Sequence, residues 1–279
     1  MKDTRKPIPD KELKAIQFDI LTELDALCRK LNIRYSLCGG SLLGAVRHKA
    51  FIPWDDDIDI IMPRPDYNTL ISFCKENETD FRLVSHENEE EYGYLFAKAT
   101  ARNTAITDEN CGTDKLSYGV YVDIFPVDAL ADTRQEALSL FRKSDLLRNI
   151  LIAKNWKRFF RSKTRSIIYE PLRLAFFILS RFFSKSFLIN RIEKMYGKDF
   201  GTTEYCACLC GSYRTREILP TSVYEEYTEL EFEGRSFMAL KNYDAYLTAI
   251  YGDYMTVPPK EKQISHHSFT AYYKEENND

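Results

Sequence analysis

The chain has 279 residues, 44% of them hydrophobic, which is enough to bury the core of one large domain or two small ones. Its net charge of −3 is too small to predict a charged partner by itself. The opening residues, MKDTRKPIPDKEL, lack the apolar core of a signal peptide, and the apolar run Leu174–Leu179 is far too short to cross a membrane. We therefore expect a cytoplasmic protein whose seven cysteines are reduced thiols.

The first half of the chain alternates helical and strand-like patterns. Apolar residues at helical spacing predict a helix over 10–31, and IRYSLC and DIDIIM predict strands, the second of them stopped by Pro63. Between these strands SLLGAVRH resumes the helical pattern, with Ser41 as the expected N-cap, and a further helix is expected over 66–76. Strands at YLFAKAT and GVYVDIFPV complete a predicted α/β core over residues 10–132.

The second half, residues 133–272, is predicted to be mainly helical. Its helical pattern is basic and aromatic up to about residue 195, and ELEFEG and NYDAYLTAIYGDYM predict a strand and a short helix. Three cysteines alternate in EYCACLCGSY. This spacing fits small residues on one face of a buried strand better than the paired CxxC spacing of a zinc site.

Four aspartates lie around the start of the strand DIDIIM, at positions 55, 56, 57 and 59. Asp57 and Asp59 share one face of the predicted strand, while alternate isoleucines face the core. Two carboxylates this close repel each other, and burying either one alone is costly. A divalent cation removes both problems, so the pattern predicts Mg²⁺, with Mn²⁺ as the alternative. An acidic turn would explain Asp55 and Asp56 but not Asp59.

A second carboxylate, Asp123, interrupts another apolar strand between Val122 and Ile124. A buried basic partner would explain its position. A third metal ligand on a neighbouring strand is the more economical explanation, because three carboxylates would leave metal positions for phosphate.

A glycine pair precedes the aspartates, in CGGSLLGAVRH. Gly39 and Gly40 allow a ligand to approach the backbone closely, and a helix that starts at Ser41 offers free N–H groups to a phosphate. Arg47 and Lys98 are candidate phosphate-binding cations, although a solvated or a salt-bridged side chain would explain either of them equally well.

Longer segments of the chain resemble a known family. GGSLLGAVRHKAFIPWDDDIDIIMPRPDY resembles the signature of the LicD family, bacterial phosphocholine transferases related to fukutin-type sugar transferases. KATARNT with YGVYVDIFPVD, and FEGRSFMALKNYDAYLTAIYGDYMTVPPKEKQISHH, resemble two further blocks of this family. The resemblance covers most of residues 15–270 and implies an α/β (α+β) fold with a nucleotidyltransferase-like mixed sheet. It also implies roles for particular positions: the metal carboxylates Asp57, Asp59 and Asp123, the phosphate-binding turn Gly40–Ser41, and Lys98 near the diphosphate.

The chemistry that the resemblance implies is Mg²⁺-dependent transfer of phosphocholine from CDP-choline, or a related CDP-alcohol, to a hydroxyl of a teichoic acid or lipopolysaccharide precursor. Asp123, His266 or His267 would take the hydroxyl proton, while a capping or packing role for the two histidines stays open. Trp54, beside the metal motif, is a candidate for a choline cage. Two rivals remain: a nucleotidyltransferase that attacks the α-phosphate of an NTP, and a non-catalytic metal-binding module.

The charge is unevenly distributed, with a basic stretch from Arg142 to Lys198. It holds 15 lysines and arginines against 3 acidic residues, a local charge of +12 that leaves −15 for the rest of the chain. Residues 154–186 interleave aromatic and basic side chains, as a helix on an anionic membrane surface does. A core helix covered by basic stems is the alternative, and nucleic acid is not expected as a partner. Lipid-linked acceptors, implied by the resemblance, favour peripheral contact with the inner membrane face.

Overall fold

The computed structural model describes residues 6–107, 118–162, 166–196, 199–263 and 269–274 of the chain. The helices in these ranges are α1 (Asp10–Leu31), α2 (Gly39–His48), α3 (Arg64–Glu76), α4 (Arg134–Lys154), α5 (Glu170–Ser180), α6 (Lys185–Glu193) and α7 (Tyr243–Tyr251). The strands are β1 (Ser36–Leu37), β2 (Asp59–Pro63), β3 (Arg82–Val84), β4 (Ala97–Thr100), β5 (Thr104–Thr107), β6 (Tyr121–Ala131), β7 (Tyr205–Cys208), β8 (Leu219–Pro220), β9 (Tyr227–Phe232), β10 (Arg235–Leu240) and β11 (Thr270–Tyr273).

Seven of these strands form one mixed sheet. The order along its main path is β1-β2-β6-β4-β3, and β7 and β8 extend the sheet from the far half of β6. The pair β2 and β6 is parallel, whereas the other neighbours are antiparallel. Parallel strands need a long connection, and α3, β3, β4 and β5 occupy it here. The predicted α/β fold with a mixed sheet is confirmed.

The long strand β6 lies in the middle of this sheet. Its sequence, YVDIFPVDALA, is almost wholly apolar and buried, because α1, α3 and α4 pack against it. Two aspartates interrupt the apolar run, and each has a basic partner. Arg64 donates to both carboxylate oxygens of Asp128, at 2.6 and 2.8 Å, and Lys98 pairs with Asp123. Burial of these charges is therefore compensated.

The two N-terminal helices confirm one prediction and correct another. Helix α1 covers 10–31 as predicted and ends at Asn32, whose φ of 54° is left-handed. Helix α2 begins at Gly39 with Cys38 as its N-cap, so the prediction of Ser41 as the N-cap was wrong. The reason is that Gly39, at φ +52°, makes the turn itself, and helical hydrogen bonding starts at once, from the Leu42 N–H to the Cys38 carbonyl at 3.1 Å.

The second half supplies the predicted helices and more strands than predicted. Cys206 and Cys208 are buried on β7, which confirms that their alternation belongs to a strand. Strand β9 contains most of the predicted ELEFEG, and β10 pairs with it through a turn at Glu233 and Gly234 that the sequence pattern did not predict. One buried apolar cluster draws residues from both halves of the chain.

Helices α4, α5 and α6 form a layer beside the sheet. Helix α4 starts with a capping box: Thr133 Oγ1 accepts from the Glu136 N–H at 3.3 Å and donates to the Glu136 carboxylate at 2.9 Å. Leu95, next to β4, packs into this layer with residues of α4 and α6. Within the described residues, every helix is too short or too polar to cross a membrane.

Candidate active site

Three ionisable side chains form a row across the centre of the sheet. Asp59 on β2 is in register with Asp123 on β6, and Asp123 is in register with Lys98 on β4. Residues directly opposite each other on neighbouring strands point to the same face, and such strands lie about 4.8 Å apart. Asp57, just before β2, lines the same cavity as these three residues. The fold thus brings together side chains from three separate sequence segments.

The first turn of α2 is joined to the first residue of β2 by two hydrogen bonds. The Asp59 N–H donates to Ser41 Oγ at 2.9 Å, and the Cys38 N–H donates to the Asp59 carbonyl at 3.0 Å. A Cβ on Gly39 would lie 3.5 Å from Asp59 Oδ2, so the helix start lies directly beside this carboxylate. The N–H groups of a first helical turn lack partners within the helix and attract anions. The backbone of Gly39, Gly40 and Ser41 can therefore bind a phosphate here.

Asp55 joins this group, although its sequence position indicated only an acidic turn. A Cβ on Gly40 would collide with Asp55 Oδ2, so the missing side chain of Gly40 makes room for this carboxylate. Carboxylate oxygens of Asp55, Asp56 and Asp57 lie within 4.8 Å of one another. Sequence reasoning missed Asp55 because a hydrated or capping aspartate produces the same pattern.

The charge on Asp59 is poorly compensated by the protein. Burial raises the pKa of the Asp59 carboxyl well above its usual range, and the charges of Asp57 and Asp123 raise this pKa further. Lys98 lowers the pKa, but by less than burial raises it. Asp59 Oδ1 is buried, and no described residue donates a hydrogen bond to it. A buried oxygen without a donor is costly, and a hard divalent cation bound by these carboxylates would remove both the cost and the repulsion. The donor set therefore fits Mg²⁺ or Mn²⁺.

Lys98 is buried between Asp123 and aromatic rings. Only 5% of the Lys98 side chain and 10% of the Asp123 side chain are exposed in this ion pair. Lys98 Nζ lies 3.3 Å from the ring centroid of Tyr121 and 5.1 Å from that of Phe96, within the range of cation–π attraction. The basic partner that the sequence left open for Asp123 is thus present. Because Asp123 is also in register with Asp59, pairing with Lys98 is compatible with a place at the metal site.

These groups lie in a cavity of about 980 Å³. Among the residues that the structure describes, its lining contains more acids than bases. The lining cations in this set are Arg47 and Lys98, and the lining acids are Asp55, Asp57, Asp59, Asp123, Glu217 and Asp253. Much of the remaining wall is aromatic, so the cavity suits a ligand that carries a cationic group as well as a metal-bound phosphate.

Arg47 and Trp54 both line this cavity, where the sequence predicted substrate contacts. Arg47 Nη1 donates to the Tyr254 carbonyl at 2.7 Å, and Arg47 Nε donates to His48 Nε2 at 3.0 Å. Trp54 packs edge-on against His48, with ring centroids 6.4 Å apart. Arg47 therefore also holds the turn after α7, a structural role that the sequence did not predict.

The second half also contributes to the cavity lining, and Tyr213, Glu217 and Tyr251 are among its residues there that were not predicted. The two tyrosine hydroxyls hydrogen-bond to each other, and their rings meet edge to face with centroids 5.1 Å apart. Glu217 accepts a hydrogen bond from the Tyr213 N–H at 3.0 Å, and burial raises its pKa to about 7. Nothing in SYRTREIL distinguishes this glutamate from a solvated one, because its burial depends on distant elements.

The remaining predicted site residues have different outcomes. The Ser41 hydroxyl is buried and accepts a hydrogen bond from the Asp59 N–H, so it holds the start of α2 against β2. His266 and His267 lie outside the described residues, and their role as bases stays a prediction.

Comparison with known proteins identifies the family. The model of the LicD/FKTN/FKRP nucleotidyltransferase domain matches residues 32–149, which include the glycine turn and all the aspartates of the site. The chain is 30% identical over 271 residues to the lipopolysaccharide cholinephosphotransferase LicD of Haemophilus influenzae, covering 96% of this chain and 99% of that protein. Two shorter matches are each 46% identical. One is to an uncharacterized protein of Rickettsia prowazekii and covers 25% of this chain and 26% of that protein. The other is to an uncharacterized protein of Rickettsia typhi and covers 45% of this chain and 47% of that protein. The chain therefore belongs to the LicD family.

Proposed function

We propose that this protein transfers phosphocholine from CDP-choline, or a similar CDP-alcohol, to a hydroxyl group of a cell-surface glycan precursor. The observation that carries the proposal is the row Asp59–Asp123–Lys98 beside the N-terminus of α2, because it joins metal ligands and phosphate-binding groups in one cavity. Similarity over almost the whole chain to a lipopolysaccharide cholinephosphotransferase supports the reaction type. The acceptor would be a precursor of the lipopolysaccharide or teichoic acid type.

In this proposal the donor diphosphate lies between the first turn of α2 and Lys98. The N–H groups of the helix start bind its oxygens, and the Lys98 ammonium adds a fixed positive charge. Asp57, Asp59 and Asp123 would hold Mg²⁺, with Mn²⁺ as the alternative, and the bound metal would neutralise charge on the diphosphate. Asp123 keeps Lys98 in position through their buried ion pair.

The reaction is a displacement at the phosphorus that bears choline. The acceptor hydroxyl oxygen forms a bond to this phosphorus, the bond from the phosphorus to the bridging oxygen breaks, and CMP leaves. The hydroxyl proton passes to a base, for which Asp123, His266 and His267 are the candidates. Separate pH–rate profiles of His266→Gln and His267→Gln test the histidines, because loss of the base removes the fall in rate on the acid side.

Choline needs aromatic rings that are not already occupied by a cation. Lys98 lies over the Tyr121 and Phe96 rings, so a second cation there would be repelled. Tyr213 and Tyr251 have carboxylates nearby instead, and we assign choline to this side, with Trp54 as a further candidate ring. Tyr251→Leu should then raise KM for CDP-choline and leave KM for CDP-glycerol, whose alcohol group is uncharged, as it is in the wild type. Equal increases in KM for the two donors would show that choline does not bind beside Tyr251.

The function itself is tested by its products. Purified protein is incubated with Mg²⁺, CDP-choline and a glycan acceptor, and in parallel with NTPs. We expect CMP and a phosphocholine-bearing glycan, and we expect EDTA to stop both. Pyrophosphate from an NTP would indicate a nucleotidyltransferase. Metal binding that stabilises the fold, with neither product formed, would indicate a non-catalytic module.

A further inference from the structure

Helix α5 has the reverse polarity of an ordinary surface helix. Its two buried residues are polar: Arg173 is 8% exposed and Ser180 is 0% exposed. Its exposed residues are all apolar, namely Pro171, Leu172, Leu174, Ala175, Ile178 and Leu179. A helix that faces water normally buries its apolar stripe and exposes its polar one. The outward side of α5 is therefore not built for contact with water.

The buried polar side fixes this orientation. Arg173 pairs with Glu170 at 2.8 Å and donates to the Phe160 carbonyl at 3.1 Å. Its guanidinium also lies 4.7 Å from the centroid of the Trp156 ring. Arg181, just after the helix, donates to the Ala153 carbonyl of α4 at 2.8 Å. Rotating α5 to bury its apolar residues would break the contacts to Phe160, Trp156 and Ala153, which lie outside the helix.

The apolar surface continues beyond both ends of α5. Ile167 and Ile168 before the helix are 61% and 80% exposed, and Phe182 after it is 78% exposed. Together with Ile178 and Leu179, which are 51% and 45% exposed, they form what we call the α5 face. Contiguous apolar surfaces of this kind mark contacts with a partner or a membrane.

The charges beside the α5 face indicate what covers it. Lys157, Arg158 and Arg161 are exposed on the segment that packs against the buried side of α5, and the stretch from Arg142 to Lys198 carries a local charge of +12. An anionic surface complements this charge. A second copy of the chain does not, because it would bring two such charges together.

We propose that the α5 face inserts into the interfacial region of an anionic lipid bilayer. Helix α5 would lie in the plane of the membrane, with the flanking basic residues at the headgroups. Leu95 packs in the helical layer, whereas its neighbours Tyr94 and Phe96 line the cavity. The segment Tyr94–Phe96 thus joins the helical layer to the cavity wall, so docking would hold the active site close to the bilayer. This proposal does not depend on which alcohol or acceptor the enzyme uses.

The test is cosedimentation of the full chain with two sets of vesicles. One set contains phosphatidylcholine with phosphatidylglycerol, and the other contains phosphatidylcholine alone. We expect the protein to sediment with the anionic set at low salt and to be released at about 1 M salt, where the screening length falls to about 3 Å. In a second measurement, the fluorescence of Ile168→Trp should be quenched by lipids brominated on their acyl chains, because this side chain would be inserted.

Two variants separate the apolar and the charged contributions. The triple variant Ile168→Ser, Ile178→Ser, Phe182→Ser should lose about tenfold or more of its vesicle binding, because it removes the apolar side chains that would insert. Its fold should be unaffected, since all three side chains are already exposed in the free protein. The variant Lys157→Glu, Arg158→Glu, Arg161→Glu should lose binding to the anionic set. The matched control is Lys11→Glu, Lys30→Glu, Lys75→Glu, which changes exposed lysines on α1 and α3 and should bind like the wild type.

The outcomes distinguish the occupants of the α5 face. All variants should keep the thermal midpoint of the wild type and its turnover on a lipid-free acceptor, which separates failure of docking from failure of the proposed reaction. Wild-type protein that ignores anionic vesicles, or serine variants that bind as the wild type does, would overturn the proposal. So would a wild-type dimer in light scattering that the serine variant converts to a monomer, because a second copy would then cover the face.

Discussion

At the scale of single residues, the two buried aspartates of the active site differ in how well the protein compensates their negative charges. Asp59 and Asp123 are in register on neighbouring strands, but their surroundings differ. Asp59 Oδ1 is buried and has no hydrogen-bond donor among the described residues, whereas Asp123 is paired with Lys98. Removing the negative charge of Asp59 should therefore stabilise the metal-free protein, whereas removing that of Asp123 should destabilise it.

The variants Asp57→Asn, Asp59→Asn and Asp123→Asn should each abolish CMP release, because each replaces a carboxylate that we propose as a metal ligand by a neutral amide. In EDTA, Asp59→Asn should raise the thermal midpoint, since it removes a repelled buried charge. Asp123→Asn should lower the free energy of unfolding by about 3–5 kcal/mol, since it leaves Lys98 buried and unpaired. Shifts of the thermal midpoint in the same direction for Asp59→Asn and Asp123→Asn would contradict this account of the two charges. A variant that releases CMP at the wild-type rate would show that its aspartate does not belong to the site.

Glu217 predicts a pH dependence of stability. Its pKa is about 7 in the folded protein, against an ordinary value of 4.5, so between these pH values the folded state holds a proton that the unfolded chain releases. The stability that this proton provides is complete below pH 4.5 and is lost as the pH rises through 7, by about 3 kcal/mol in total. Glu217→Gln keeps an acceptor for the Tyr213 N–H and has no such loss.

The thermal midpoint of Glu217→Gln should therefore exceed that of the wild type by an amount that grows from pH 4.5 to 7 and is constant above this range. Differential scanning calorimetry across this range checks the prediction. A difference that does not vary with pH would mean that Glu217 is already ionised in the folded protein across this range.

At the scale of elements, helix α2 combines an open, substrate-facing start with a tightly packed interior. A Cβ on Gly40 would meet the flexible side chain of Asp55, whereas a Cβ on Gly44 would lie 2.5 Å from the backbone carbonyl of Ala50. The same substitution should therefore have different effects at two positions of one helix.

We expect Gly40→Ala to weaken binding of CDP-choline, because its methyl group enters the anion-binding turn. Its thermal midpoint should stay near that of the wild type, since Asp55 can rotate away and alanine favours the helix by up to about 1 kcal/mol. Gly44→Ala should cost about 1–3 kcal/mol of stability, because backbone cannot yield as easily. Calorimetry of donor binding and thermal melts measure both. A stable Gly44→Ala or a tightly binding Gly40→Ala would contradict this account of α2.

Elements with strong periodicity or unusual residues could be predicted from the sequence. Helix α1 has a clear apolar stripe, and the aspartates of β2 and β6 stand out because carboxylates are rare in apolar strands. The short strands β3, β5 and β8 have too few residues to show a period. The contributions of Glu217 and Tyr251 could not be predicted, because they depend on where the second half packs. The prediction of Ser41 as the N-cap was wrong because Gly39 makes the turn and α2 begins there.

At the scale of the whole molecule, the two halves of the chain share one core. Strand β7 pairs with the far half of β6, and the Leu240 N–H of β10 donates to the buried Ser36 Oγ of β1 at 2.8 Å. The division of the chain into two regions at residue 132 stays a prediction. Apolar contacts cross this boundary throughout the core.

A fragment of residues 1–132 should therefore fail to fold alone. It would expose the β7-facing edge of β6 and leave the Ser36 contact without its partner, and both losses favour aggregation. Far-UV and near-UV circular dichroism, with a denaturant melt, would detect this. Coexpression with residues 133–279 is the control and should restore a soluble complex. A cooperative melt of the fragment by itself would show that the first segment is an independent domain.

Strands β2 and β6 are neighbours in the sheet, although α3 and three strands separate them in the chain. The Asp123 N–H donates to the Ile58 carbonyl at 2.9 Å, so main-chain pairing alone sets the distance between the two carboxylates. The loops of the connecting region can therefore gain or lose residues in evolution without moving the two carboxylates, whereas β4 must keep its register because it carries Lys98. One residue inserted between Tyr121 and Asp123, by contrast, would turn Asp123 to the opposite face. Relatives of this protein can thus vary these loops while the two carboxylates keep their register.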